Sequence, residues 1–317
     1  MVKIAVAGGS GEVGQEVVDA LAAPKKHDIL ILSRKDAPPG DVRPGVSWVK
    51  VNYEDRDQLT EILRGVHTVL SFIVVHWDPG SIAQKTLIDA AIAAGVKRFA
   101  PSEWGSSGLT DLPMYLGKAE VREYLKELNR EKKVLEYTLF QQGIFLNYFA
   151  SPFKTAKHLT PLNLFIDLQN RRAILLKGHE EDSLTLTTVQ DLARVVSRAV
   201  EYEEEWPVIG GITGNKVTIG QLLALGEKLR GKPLETEKVH LEDIEAGVIK
   251  TSWVPQFRHP SIPQDQIDAT SKHALIALLL SISKGGWITS DEWNRLLPDC
   301  KFTAIEEFLS DVWSGTP

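Results

Sequence analysis

The first half of the chain alternates short apolar runs with segments whose apolar residues recur at helical spacing. The run Asp28–Leu32 has the length and composition of a buried strand, and Gly14–Ala23 places Val17, Val18 and Leu21 on one side of a helix. The same patterns predict strands at Lys3–Ala7, Val46–Val51, Thr68–Val75, Arg98–Pro101 and Val134–Phe140, and helices at Asp57–Leu63, Ser81–Ala94 and Lys118–Asn129. Strands and helices that alternate in this way predict an α/β fold with a doubly wound parallel sheet over residues 1–150.

The second half is less regular and predicts a smaller α/β unit over residues 151–317. Leu184–Leu186 followed by Val189–Tyr202 predicts a strand and an amphipathic helix. We expect residues 184–214, which end in the glycine-rich turn Gly210–Gly214, to return to the first domain. Further helices are predicted at Thr218–Arg230, Ala269–Ser283, Asp291–Leu297 and Thr303–Trp313. The tryptophans expected in the core beneath the C-terminal helices are Trp287, Trp293 and Trp313.

A glycine-rich loop directly follows the first predicted strand and opens the first predicted helix. It reads Gly8-Gly9-Ser10-Gly11-Glu12-Val13-Gly14 and matches the Gly-x-Gly-x-x-Gly spacing of dinucleotide-binding loops. Glycine permits the tight turn and lets the backbone approach a pyrophosphate, while the helix N-terminus offers free N–H groups to that anion. All seven residues are therefore predicted to bind a dinucleotide; the alternative is an ordinary glycine turn.

The end of the second predicted strand indicates which dinucleotide is bound. Sites that prefer NAD usually place an acid there to hold the ribose 2′-hydroxyl. This chain has Ser33-Arg34-Lys35 instead, with no acid before Asp36. A guanidinium suits a 2′-phosphate because it is always charged and bidentate. The sequence therefore predicts NADPH/NADP+ with Arg34 as the main contact and Lys35 in support, unless both are solvated surface cations.

The overall composition narrows the class of protein further. Lys and Arg number 36 against 42 Asp and Glu, a net charge of −6 that argues against nucleic acid as a partner. One cysteine, Cys300, fits a reducing compartment and excludes a cysteine-based zinc cluster. No apolar run approaches the about 20 residues that span a bilayer. We expect a cytoplasmic protein with a small-molecule substrate, no metal and no membrane contact; a homodimer is compatible with the sequence.

A second block of residues adds a resemblance to a known family. The segment Gly95–Gly105 reads Gly-Val-Lys-Arg-Phe-Ala-Pro-Ser-Glu-Trp-Gly, and Lys118 lies on the next predicted helix. Together with the glycine loop and Ser33-Arg34, these residues resemble the isoflavone reductase-like branch of the NmrA-like proteins, which are atypical short-chain dehydrogenases/reductases. The resemblance covers the first half well and the second half in outline. It implies an NADPH-binding Rossmann domain, a smaller C-terminal domain and a substrate cleft between them.

The resemblance also implies roles for individual residues. Lys118 takes the place of the family's general acid/base near the nicotinamide, with a surface lysine as the alternative. Tyr115 stands three residues before it and either donates a proton or packs its ring; the ordinary Tyr–Lys couple is missing because Met114 holds the usual tyrosine position. The residues expected along the cofactor are Ser71, Phe72, Ser102, Glu103 and Trp104.

The substrate side is less defined by the sequence. Trp104, Phe145 and Tyr148 are expected to line the site, beside an altered floor at Gln141-Gln142-Gly143. His76 lies at the same crevice edge and is either an acid/base residue or a bystander. Trp253 and Phe257 either line an aromatic pocket or pack.

The sequence thus predicts an NADPH-dependent reductase in which hydride moves to a small aromatic or conjugated acceptor and Lys118 handles the proton. The acceptor group is a ketone, an activated double bond, an imine or a benzylic ether. The rival hypothesis is a non-catalytic, NADP(H)-sensing regulator of the NmrA type, which needs no lysine at the nicotinamide.

Overall fold

The computed structural model describes residues 2–40, 43–257 and 263–314. Its first half forms a parallel sheet of six strands in the order β3-β2-β1-β4-β5-β6. These strands are β1 (Lys3–Ala7), β2 (Asp28–Ser33), β3 (Val46–Lys50), β4 (Thr68–Ser71), β5 (Arg98–Ala100) and β6 (Glu136–Tyr137). Helices cover both faces, so the predicted doubly wound fold is confirmed.

The remaining strands form small sheets in the second half. They are β7 (Leu139–Gln141), β8 (Ile144–Phe145), β9 (Ile166–Asp167), β10 (Arg172–Leu176), β11 (Ser183–Thr187), β12 (Ile209–Gly211), β13 (Asn215–Thr218) and β14 (Glu235–Val239). The helices are α1 (Glu12–Ala22), α2 (Arg56–Leu63), α3 (Ile82–Ala93), α4 (Leu116–Leu128), α5 (Val189–Glu201), α6 (Ile219–Arg230), α7 (Leu241–Glu245), α8 (Ile267–Ser283), α9 (Glu292–Leu296) and α10 (Ile305–Trp313). No helix in the described ranges has the length and apolarity that crossing a membrane requires.

The central strand β1 divides the core of the first half into two layers, because successive side chains of a strand point to opposite faces. Ile4 and Val6 pack with helices α1 and α5. Ala5 and Ala7 pack with helices α2, α3 and α4 on the other face. Helix α5, although it comes from the second half, therefore covers one face of the first sheet beside α1.

A third core lies between β10, α6, α8 and α10. Helix α6 begins with a capping box in which Thr218 accepts from the backbone N–H of Gln221, and it ends at Gly231 in the left-handed conformation. Trp313 is buried in this core as expected. Trp293 of α9 is fully buried as well, but in the core on the α5 side, where it stacks 5.5 Å from Phe140.

Three predicted elements differ from the structure for identifiable reasons. Strand β4 ends at Ser71 rather than Val75, because its partner β1 ends at Ala7 and offers no further pairing. The predicted strand Val134–Phe140 is two strands, since β6 pairs with β5 and β7 pairs with β12. The predicted turn at Gly210–Gly214 begins as strand β12.

The glycines of β12 serve close packing rather than turning. A Cβ on Gly210 would lie 2.4 Å from Thr138 Oγ1, and one on Gly211 would lie 2.3 Å from the carbonyl oxygen of Ser290. Only glycine fits between these neighbours, which is why a strand here carries a turn-like composition.

Candidate active site

The candidate site lies where the strand order reverses, between β1 and β4. In open parallel sheets ligands bind outside the carboxyl ends of the strands at this point. The glycine loop follows β1 at Ala7, and Phe72 follows β4 at Ser71. These two segments touch, because a Cβ on Gly8 would lie 2.7 Å from the carbonyl oxygen of Phe72.

The loop has the geometry of a backbone cradle. Gly8 has a φ of +69°, which favours glycine, and its N–H is near both Leu32 O at 3.1 Å and Tyr53 Oη at 3.0 Å. A Cβ on Gly14 would lie 2.9 Å from Gly9 Cα. Larger residues at these positions would displace the loop and close the approach to the helix N-terminus.

The first turn of α1 leaves its N–H groups for an anion. Gly11 is the N-cap residue, and no side chain caps this helix. The carboxylate of Glu12 is turned aside, since it accepts from Thr160 N at 3.0 Å and Thr160 Oγ1 at 2.5 Å. Ser10 is exposed on the loop, while Val13 packs partly into the core beside α1. An uncapped N-terminus beside a glycine cradle fits a pyrophosphate.

The structure places Arg34 and Lys35 exposed just beyond the end of β2. The positive charge of Arg34 opposes the rise in the pKa of Tyr53 that burial causes, so the two side chains are near each other. The Tyr53 hydroxyl also accepts a hydrogen bond from the N–H of Gly8 in the loop. Arg34 therefore lies close to the glycine loop. Tyr53 was not predicted as a site residue; its hydroxyl donates to Leu32 O at 2.9 Å and braces the loop.

An aromatic stack connects the loop to the neighbouring strands. The rings of Phe72 and Trp104 are parallel with centroids 4.3 Å apart, and Trp104 Nε1 donates to Ser71 O at 2.6 Å. Gln84 was missed by the sequence reasoning. Its Oε1 accepts from Ser102 N at 3.0 Å and lies 3.4 Å from Ser71 Oγ, and so ties the ends of β4 and β5 together.

Lys118 lies at the start of α4 and is almost completely buried. Its ammonium donates to the carbonyl oxygen of Glu103 and sits 3.4 Å from the centroid of the Tyr115 ring. A Cβ on Gly105 would lie 3.3 Å from Tyr115 Oη and 3.5 Å from Lys118 Nζ. Gly105 thus leaves open the space that both polar groups face.

Burial lowers the pKa of Lys118 to about 8. The negative charge of Glu103 opposes this shift, and the positive charge of Arg122 adds to it. Burial also raises the pKa of Tyr115 to about 12, with a further contribution from Glu103. Near neutral pH, Lys118 is therefore close to its titration range, whereas Tyr115 keeps its proton.

The side chain of Glu103 pairs with Arg122. Its buried carboxylate forms a bidentate ion pair with Arg122, with distances of 2.9 and 2.6 Å. Arg122 also donates to Ser107 O at 3.2 Å. Glu103 therefore holds Lys118 through its backbone and anchors the surrounding loop through its side chain.

A cavity of about 220 Å³ opens next to this group. Trp104, Tyr115, Phe145 and Tyr148 line it, as does Phe257. The lining residues come from segments that are far apart in the chain. The others are Gly105, Leu112, Met114, Gln142, Gly143, Ile144, Leu162, Leu164, Ala274, Leu278 and Trp287. All lining residues in the described ranges are uncharged, so the cavity suits a neutral, apolar molecule.

Two residues singled out in the sequence lie elsewhere. His76 is exposed on a short 3₁₀ turn at Val75–Trp77 and does not line the cavity, because β4 ends early and the chain turns outward. Trp253 packs under Arg172, whose guanidinium carbon is 4.0 Å from the ring centroid. The cavity residues of α8 carried no signal in the sequence beyond helical apolarity.

The chain is similar to known proteins over almost its whole length. The profile of the NmrA-like family matches residues 2–309. The chain is 32% identical over 236 residues to oxidoreductase BOA1 of Botryotinia fuckeliana, covering 73% of this chain and 77% of the relative. It is 26% identical to phenylcoumaran benzylic ether reductase Betv6 of Betula pendula, covering 97% of both. The fold resembles a solved structure of AtPrR2 with NADP+ and (+)pinoresinol, with a TM-score of 0.68, 22% identity and 98% of each chain covered.

Proposed function

Because the chain belongs to the NmrA-like family, as the resemblance predicted, we propose that it is an NADPH-dependent reductase of a small, uncharged aromatic or conjugated molecule. The observation that carries the proposal is the arrangement around Trp104. Its ring stacks on Phe72 beside the glycine loop and also lines the cavity next to Tyr115. A dinucleotide bound to the loop and an acceptor bound in the cavity would therefore come together next to the Trp104 ring.

The cofactor assignment is supported by the cradle at Gly8–Gly14, the uncapped N-terminus of α1 and the exposed guanidinium of Arg34. The relative Betv6 is named a reductase, BOA1 an oxidoreductase, and AtPrR2 is solved with NADP+. When bound, the nicotinamide supplies the hydride.

Lys118 is the group that we assign to proton transfer. Its Nζ faces the space left by Gly105 at the edge of the cavity. In the reductive direction the ammonium gives its proton to the oxygen or nitrogen that gains charge as hydride adds, and the amine regains a proton from solvent. A pKa near 8 suits this role because the proton is held at neutral pH and released readily.

Tyr115 positions this ammonium. The face of its ring lies against Nζ, where the ring quadrupole favours a cation. Its hydroxyl stays protonated and points to the same space, so it can donate a hydrogen bond to the acceptor oxygen. Both roles that the sequence left open for Tyr115 are compatible with this geometry.

The buried lysine also favours an enzyme over a cofactor-sensing regulator. Burying an ammonium is costly, and a protein that only binds NADP(H) gains nothing from placing one beside an apolar cavity. A buried ammonium whose pKa is lowered in this way is typical of catalytic sites.

The test compares turnover with cofactor binding in Lys118→Met. NADPH oxidation is followed with a panel of uncharged ring compounds that carry a ketone, a conjugated double bond, an imine or a benzylic ether. We expect the variant to lose at least about 100-fold in kcat while its Kd for NADPH changes less than about threefold. Lys126→Met, on the exposed side of the same helix, is the control and should keep full activity.

The pH profile gives a second readout. The wild-type reductive kcat should be constant below pH about 8 and fall above it, as the proton on Lys118 is lost. A Lys118→Met protein with wild-type turnover would refute the assigned role.

A further inference from the structure

Two buried polar side chains in the cavity have no hydrogen-bonding partner within the described ranges. Both amide atoms of Gln142, Oε1 and Nε2, are in this state, as is the indole Nε1 of Trp287. Gln142 is 1% exposed and Trp287 is 8% exposed, and both line the cavity. A buried amide without partners destabilises a folded protein, so a bound molecule that supplied the missing hydrogen bonds would be stabilised here.

The backbone on either side of Gln142 is fixed. Its carbonyl oxygen accepts from Thr187 Oγ1 at 2.8 Å, and the next residue, Gly143, donates its N–H to Gly105 O at 3.0 Å. Gly143 has a φ of +76°, and a Cβ there would lie 2.2 Å from Thr185 O. The residue next to Gln142 is therefore bonded to Gly105, and Gly105 borders the space that Lys118 Nζ faces.

Trp287 is anchored to the same strand. Its carbonyl oxygen accepts from Thr185 N at 2.9 Å, two residues before Thr187 on β11. Residues two apart on a strand are about 7 Å apart, so Gln142 and Trp287 approach the cavity from adjacent positions. Both side chains line the same cavity, and their backbones are held by neighbouring residues of one strand.

We propose that Gln142 and Trp287 form a specificity subsite that selects acceptors carrying a hydroxyl group. This rests on the proposed function only in taking the cavity as the acceptor site. An amide offers one acceptor oxygen and two donor hydrogens, and an indole offers one donor. A hydroxyl complements this set because it donates one hydrogen bond and accepts two.

Other groups match the subsite less well. An ether oxygen accepts from the donors but leaves Gln142 Oε1 without a partner. A carboxylate would be repelled by that same oxygen, and the ammonium of Lys118 lies at the Gly105 edge of the cavity rather than among the described lining residues. The volume of about 220 Å³ lies below the about 300–1,000 Å³ of sites for drug-sized ligands, so the hydroxylated molecule has one or two rings.

The experiment measures binding of three matched two-ring probes to the NADP+-saturated protein by calorimetry. The probes are 2-naphthol, its methyl ether 2-methoxynaphthalene, and the anion 2-naphthoate. We expect the wild-type protein to bind 2-naphthol at least about tenfold more tightly than the other two. Gln142→Met and Trp287→Phe conserve most of the volume, and each should lose most of this preference without weakening the methyl ether. Leu164→Met, on the apolar wall, should change all three affinities alike.

Three outcomes overturn the proposal. The first is a wild-type protein that does not distinguish 2-naphthol from its methyl ether, and the second is a Gln142→Met protein that keeps the distinction. The third is a marked fall in the thermal unfolding temperature of Gln142→Met, because an amide without partners stabilises nothing when it is free of ligand. Binding equilibria need no hydride transfer, so these results are separable from a failure of the proposed reaction.

Discussion

Replacing Lys118 with methionine isolates the free-energy cost of burying its ammonium. Burial lowers the pKa of Lys118 from 10.5 to about 8. At 1.36 kcal/mol per pKa unit, the charged form is about 3 kcal/mol less favourable in the folded protein than in the unfolded chain. The penalty is fully present below the folded pKa of about 8. It disappears as the pH rises towards 10.5, because the unfolded chain then loses the same proton.

The variant should therefore change how stability depends on pH. Between about pH 8 and about pH 9.5 the wild-type protein should gain about 1–2 kcal/mol of unfolding free energy relative to Lys118→Met. Urea unfolding of both proteins at both pH values measures this difference, and contributions from all other groups cancel in it. Lys126→Met removes an exposed lysine of the same helix and should differ from wild type by the same amount at both pH values.

A stability difference that is equal at the two pH values would refute the reasoning. It would mean that the ammonium of Lys118 is hydrated in the folded protein, for example through an opening at Gly105. The argument for a proton donor near its titration range would then lose its physical basis, even if the variant were inactive.

Three further substitutions test other parts of the site. Arg34→Ala should raise the Kd for NADPH by about 10- to 100-fold and leave the Kd for NADH nearly unchanged, as measured by tryptophan fluorescence titration; equal losses would contradict the 2′-phosphate contact. Gly14→Ala places a Cβ 2.9 Å from Gly9 Cα. The variant should bind NADPH more weakly and should be destabilised by about 1–3 kcal/mol in thermal unfolding. Wild-type affinity and stability would instead show that the loop can shift to accommodate the methyl group. Arg122→Met leaves the carboxylate of Glu103 buried without its partner and should cost about 3 kcal/mol in urea unfolding. The double variant with Glu103→Gln should recover part of that loss, and no recovery would contradict the ion-pair argument.

The parts of the fold that could be predicted from the sequence are those set by local patterns. The glycine loop needs only a turn, a close backbone approach and a following helix, and these requirements act on neighbouring residues. Strands β1 and β2 could be predicted because a strand covered on both faces is a short, continuous apolar run. Both ends of helix α6 could be predicted because the cap residues Thr218 and Gly231 interact only with the adjacent turn of the helix.

The cavity could not be predicted in the same way, since its wall is assembled from segments far apart in the chain. Leu278 and Trp287 reach it only through the packing of α8 and the loop that follows. Gln142 was noted as a change in the floor, but no sequence pattern shows that its amide has no partner. Strand β12 was misread because close packing and turning select the same residue, glycine.

The turn at Trp104 connects the glycine loop with the cavity, so these two parts of the candidate site depend on each other. Trp104 has a φ of +37°, a left-handed conformation that costs a bulky residue about 1–3 kcal/mol. Glycine would remove that cost, but it would also remove the ring that stacks on Phe72 and Phe140 and bonds to Ser71. The turn directs the carbonyl of the preceding residue to Lys118 and that of the following residue to Gly143. The strain is therefore the consequence of contacting Lys118, Gly143 and Phe72 from one short segment.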